Sequence, residues 1–247
     1  MIWKSIFLLL PVALILSCQS RKGNLADTDM EIIDSLELAA DLQISEEALD
    51  EIVQSVSSPI EMAALIKEIG TPFSMDYLAP TKYIDQYNTS FQMAFNLGVF
   101  GADLGYLNIY NKQIPIVDYL AAINKLADGL RVGQFFDFVT LKRLATSRDN
   151  IDSLLYISVN GFNNIDSYLR ENNRGHLSAL MIAGVWIEGM YLATQVARQI
   201  SNPALNERIG EQKLNLNNLF LILNPYRNQQ QIAEFLDQLN EIKEVFD

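Results

Sequence analysis

From about residue 28 to the C-terminus, apolar positions recur at intervals of three and four, the period of a helix resting one face on a core. Thr28 followed by Glu31 forms a capping box for a helix over Met30–Leu42, and Ser45 caps a second over Glu46–Val56. Ser58-Pro59-Ile60-Glu61 is the clearest start signal: Ser at the cap, Pro at the first helical position, Glu closing the box, with Gly70 ending the element. Thr71-Pro72-Phe73-Ser74 reads as a loop. Longer helices are predicted over Asn88–Lys112, Pro115–Leu130, Asp149–Arg170, Gly175–Gln199, Pro203–Leu223 and Gln229–Phe246. No stretch sustains the alternation of a half-buried strand, and the 12 Gly and 7 Pro fall mostly at helix boundaries. The expected fold is all-α, a multi-helix bundle.

Two segments of the pattern repeat. At an offset of about 85 residues Ala94 matches Ala179, Leu97 matches Ile182, Asp103 matches Glu188, and Tyr106-Leu107 matches Tyr191-Leu192. In the following helices Pro115 meets Pro203, Lys125 meets Lys213 and Leu126 meets Leu214. This predicts an internal duplication, with repeat-like halves of about 88–172 and 173–247 packed about a pseudo-twofold axis inside one helical domain spanning 29–247.

The N-terminus departs from that pattern. Lys4 precedes a short apolar run from Ile6 to Leu16, too short to span a bilayer comfortably. Ile15-Leu16-Ser17-Cys18 follows and resembles a bacterial lipobox, in which the leader is removed before a Cys that then carries acyl chains. The reading is a lipoprotein signal peptide over 1–17, lipidation at Cys18, and a polar tether over 18–28. Acyl chains contribute about 0.8 kcal/mol per buried CH₂, so two or more together hold a soluble domain at a membrane. This implies the cell envelope, with the outer membrane as the expected location and either face open.

Composition narrows the class. With 247 residues, 49% hydrophobic and 19% charged, the chain is neither disordered nor dependent on crosslinks for a core. Its net charge of −12 and the lack of a basic block argue against nucleic acid and anionic membrane surfaces as partners. One Cys and one His cannot make a structural zinc site, and the Glu-x-x-His motif of di-iron bundles is absent, so no metal or other cofactor is expected.

The candidate chemistry is a pair of acids. Asp103 and Glu188 each interrupt an apolar helix, and each has a Tyr three residues on, Tyr106 and Tyr191, on the same face. A buried carboxylate must be paired, hydrogen-bonded or protonated. Asp103, Tyr106, Glu188 and Tyr191 would line a polar pocket for a cation or polar ligand, or Lys125 and Lys213 would neutralise the acids as buried ion pairs. Trp186 and Phe100 read as core. Gly98, Gly101, Gly105, Gly184 and Gly189 suit close helix approach, or room for a ligand beside the central helices, and Gly161 a kink. His176 sits at a helix N-terminus with no nucleophile beside it, and Arg174 suits an anion or a surface ion pair. Gly-x-Ser-x-Gly, phosphate-loop and dinucleotide motifs are absent, so no catalytic residue is assigned. Leu177–Ala197 is long enough to span a membrane, but Glu188 at its middle favours a bundle core.

The segments Asn96–Tyr106 (NLGVFGADLGY) and Gly184–Gln195 (GVWIEGMYLATQ) resemble those of an uncharacterised group of all-helical lipoproteins from Bacteroidota-type bacteria. The resemblance implies export and lipid anchoring and no particular activity. The expected function is a lipid-anchored envelope domain that binds a ligand or partner; the alternative is an enzyme or metal-dependent binder built on the carboxylate/tyrosine pocket.

Overall fold

The computed structural model describes residues 51–53, 59–145 and 151–246. The leader, Cys18, the tether and the helix expected over Met30–Leu42 lie outside the described residues. So does most of the helix expected over Glu46–Val56, of which residues 51–53 are helical. Eight α-helices have complete bounds: α1 (Pro59–Glu68), α2 (Ser90–Ile109), α3 (Gln113–Gly129), α4 (Phe138–Ala145), α5 (Ile151–Glu171), α6 (Gly175–Ala197), α7 (Pro203–Leu223) and α8 (Gln230–Phe246). No strand occurs among the described residues, and the fold is an all-α bundle.

Side-chain caps set some of the starts, whereas α3 and α6 begin without a side-chain cap bond. Thr89 caps α2 in a reciprocal box: Gln92 N–H donates to Thr89 Oγ1 at 3.2 Å, and Gln92 Oε1 accepts from the Thr89 N–H at 3.3 Å. Asn202 caps α7 from the residue before Pro203. The ends of α1, α2, α3 and α5 share one geometry, in which a left-handed residue follows the helix and the next N–H reaches back five residues. At α1 that residue is Gly70, but at the others it is Asn111, Arg131 and Asn173, with φ of 53°, 59° and 57°.

Helices α2 and α6 form the centre. Every residue of α2 from Leu97 to Asn108 is buried, and α6 is buried around nearly its whole circumference. Helix α6 is long and apolar enough to cross a membrane, and the neighbours that cover it are those of a bundle core. Helices α1, α3, α5 and α7 pack around this pair, and α8 packs on α7. Phe235 of α8 meets Phe91 and Phe95 of α2 edge-on.

The centre depends on two glycines. A Cβ at Gly98 would overlap the Met181 carbonyl oxygen, and one at Gly184 would overlap that of Phe95, so backbone lies directly on backbone. The other expected close approaches divide. The Phe162 ring lies over Gly101, and at Gly105 and Gly189 a Cβ would meet nothing within 4 Å. Gly161 admits the Phe136 ring, and α5 continues through it.

Two features were not expected from the sequence. Helix α4 is short, although Phe138, Leu141 and Ala145 keep a three-four spacing. The segment between α1 and α2 contains two 3₁₀ turns, Met75–Tyr77 and Thr81–Gln86, and is held to the core by side chains. Tyr110 donates to the Thr71 carbonyl (2.9 Å), Tyr106 accepts from the Ser74 N–H (3.3 Å), and Tyr119 donates to the Ala79 carbonyl (2.7 Å). These bonds satisfy loop backbone groups that lie against the core.

Candidate functional site

The crossing of α2 and α6 brings Asp103 and Glu188 together. Gly98 lies against Met181 and Val185, Gly184 against Phe95 and Val99, and Asp103 beside Glu188. The separation along the chain stays nearly constant through these contacts, so the helices run in the same direction and carry both acids to the same side of the crossing.

The acids are enclosed, at 0% and 7% exposure. Asp103 Oδ2 accepts the Ala79 N–H at 3.0 Å, and the two carboxyl groups are within hydrogen-bonding reach of each other. Asp103 Oδ1 and Glu188 Oε1 have no other donor among the described residues. Two carboxylates are acceptors only, so the contact between them requires a proton. Burial raises the Asp103 pKa well above the carboxylate range, the Glu188 charge raises it further, and the Ala79 N–H partly opposes both. Burial pushes Glu188 up to about 7, with the bond to Asp103 working against it. The two groups titrate as a unit that holds a proton at neutral pH.

Neutralisation by lysine is therefore not what the structure contains. Lys125 pairs with Asp85 at the surface, and Lys213 donates to the Phe246 carbonyl at 3.5 Å. The phenols expected beside the acids separate. Tyr106 is fully buried and engaged with Ser74, whereas Tyr191 is 43% exposed. The phenol coupled to the acids is Tyr119 of α3, whose pKa is raised by burial and then by Asp103 and Glu188. Its place on the apolar face of α3 was visible in the sequence; its proximity to Asp103 was not.

The contact register differs from the sequence match. Gly184 lies 86 residues beyond Gly98, as Met181 does beyond Phe95 and Val185 beyond Val99, so exchanging the helices maps one set of glycine contacts onto the other. The sequence match pairs Asp103 with Glu188 at 85. One residue on a helix is about 100° of rotation, so residues matched in sequence face different surroundings in the two helices.

A second polar group lies between α5 and α6. Asp166 is buried and receives the Ser178 hydroxyl and the Arg170 guanidinium, the latter at 2.8 Å. The Asp166–Arg170 spacing is an ordinary i,i+4 helix pair and could have been read from sequence; Ser178 could not. On one side of this group a chamber of about 50 Å³ opens among α2, α5 and α6, bordered by Gly101, Gly105, Asn108, Ser158, Phe162 and Asp166. On the other side a cleft of about 390 Å³ is bordered by Ser167, Arg170, Glu171, Gly175, Ser178 and Tyr226. Val53 and Ile182 line both, and neither Asp103 nor Glu188 lines either.

The remaining candidates have structural roles. Trp186 is buried and donates to Gln212 Oε1 at 3.0 Å. Arg174 donates to the Leu130 carbonyl at 2.8 Å, so it caps the C-terminal end of α3 where an anion or a surface ion pair was expected. His176 packs edge-on against Tyr226, with its pKa lowered by burial and by Arg174. Among the described residues no group of three or more His, Cys, Asp or Glu could hold a metal ion. Comparison with known proteins finds no matching family model, no matching curated protein and no matching solved structure.

Proposed function

We propose that this chain is a lipid-anchored cell-envelope domain that binds a small ligand in the cleft between α5 and α6. The observation that carries the binding half is the 390 Å³ cleft itself. Its volume lies in the range of small-molecule sites, and it mixes an apolar floor with Arg170, Glu171, Ser178 and the Tyr226 hydroxyl. The anchoring half is supported by the lone Cys at the exit of an apolar leader.

The alternative of an enzyme or metal-dependent binder at Asp103 and Glu188 has less support. The acids face each other across a shared proton, and Tyr191 is 43% exposed. A metal would have to displace that proton from an enclosed space.

Native mass spectrometry of the full chain extracted from envelopes tests both halves. The expected spectrum carries acyl mass on Cys18 and a ligand mass that disappears on denaturation. A protein without acyl mass removes the anchor, and one with no ligand mass, together with a cleft that takes up only water in a crystal, removes the binding role.

A further inference from the structure

The small chamber contains an unexplained polar group. Asn108 is 1% exposed, and neither its Oδ1 nor its Nδ2 has a hydrogen-bond partner among the described residues. Leaving a buried amide unsatisfied costs about 1–3 kcal/mol, so such groups in native proteins call for a partner. Asn108 lines the chamber, so that is where a partner would sit.

The rest of the wall defines that partner. Leu104, Val159, Phe162, Met181, Ile182 and Val185 make most of it apolar. The Asp166 charge on the border is already taken up by Arg170 and Ser178. An anionic guest would be buried beside that carboxylate without a cation of its own, and a cationic guest would have to compete with Arg170. A neutral guest fits. A single guest that satisfies Asn108 offers it a donor and an acceptor at once, side by side and in one plane, which one hydroxyl oxygen does poorly and an amide does well. At about 30 Å³ per water the chamber's 50 Å³ holds one or two waters, so only the amide head of a guest enters it.

We propose that this chamber is a recognition subsite for a small neutral amide, a primary carboxamide or lactam, whose carbonyl accepts from Asn108 Nδ2 while its N–H donates to Asn108 Oδ1. The subsite rests on the ligand-binding reading above and gives it a ligand class. Two glycines make the space. At Gly105 a Cβ would meet nothing within 4 Å, and Gly101 yields its face to the Phe162 ring that forms one wall.

The test is an NMR titration of the full chain in detergent with acetamide, and with acetone as the isostere that lacks the N–H. Acetamide is expected to shift the signals of Gly105, Asn108 and Val185 saturably, with acetone at least tenfold weaker. Gly105→Leu, which fills the chamber, should abolish the acetamide response. Asn108→Leu, of similar volume, should erase the preference for acetamide while raising the denaturation midpoint, since it removes the unsatisfied amide. If the Leu variants do not fold, Gly105→Ala answers the same question with a methyl group, by weakening acetamide binding at least tenfold. Equal binding of acetamide and acetone, no saturable shift, or an Asn108→Leu variant that keeps the preference would each overturn the subsite. If the subsite fails while native mass spectrometry still shows a bound ligand, the wider cleft stands; if both fail, the binding role falls with it.

Discussion

Glu188 and Asp103 meet where two negative charges cannot sit side by side, and a proton settles the conflict. That has a consequence for stability. The folded pKa of Glu188 is raised above its ordinary value of 4.5 to about 7, so its contribution is fully present below about pH 4.5 and is lost as pH rises through 7. At 1.36 kcal/mol per unit the loss is about 3 kcal/mol. Glu188→Gln keeps a donor toward Asp103 without the ionisation. Its stability advantage in urea denaturation should therefore be small at pH 4 and grow to about 3 kcal/mol by pH 8; a difference that does not change with pH would refute the raised pKa of Glu188. The glycines give a second residue-scale test. Gly98→Ala or Gly184→Ala drives a methyl into a carbonyl on the facing helix, where nothing flexible can yield, and should cost about 3 kcal/mol or more. Gly105→Ala meets open space and should gain up to about 1 kcal/mol of helix propensity. Urea denaturation of the three variants side by side checks the contrast.

Some helix starts rest on side chains within one turn of the cap, as at Thr89 with Gln92 and at Asn202 with Pro203, and are local signals; α3 and α6 start without one. Helix ends were harder, because three of the four left-handed closures use Asn or Arg in place of Gly. Arg131 is the costliest of these, since an L-residue without a short polar side chain has about 1–2 kcal/mol against it in that conformation. Arg131→Gly should therefore raise stability by about 1 kcal/mol, read as a shift of the urea midpoint at unchanged slope. A loss of stability would mean that the Arg131 side chain contributes more than its backbone costs. The longer 3₁₀ turn before α2, Thr81–Gln86, carries no local capping signal, whereas α4 has a local signal in the spacing of Phe138, Leu141 and Ala145. Helix α4 rests on its chain neighbours α3 and α5, and the 3₁₀ turns are ordered by the phenols of Tyr106, Tyr110 and Tyr119, which are distant along the chain.

At the scale of the whole molecule, the proposed lipid anchor competes with α6 as the means of membrane attachment. Helix α6 has the length and composition of a span, but in the bundle it is mostly buried and keeps Glu188 against Asp103. If the lipid on Cys18 is the only attachment, Cys18→Ser should move the protein from the membrane pellet to the soluble fraction; retention in the pellet after carbonate washing would point to α6. The sequence alone determined the all-α class, the identity and most bounds of the long helices, and the two acids worth following, because periodicity, caps and a charge within an apolar helix are local signals. Only the tertiary structure decided what those acids do. Whether Asp103 meets Lys125 or Glu188, whether Tyr119 or Tyr191 is the relevant phenol, and whether Asn108 finds a partner depend on how α2 and α6 cross at Gly98 and Gly184. One residue of register there is about 100° of rotation, enough to turn a buried side chain toward solvent, and no local pattern in the chain fixes it.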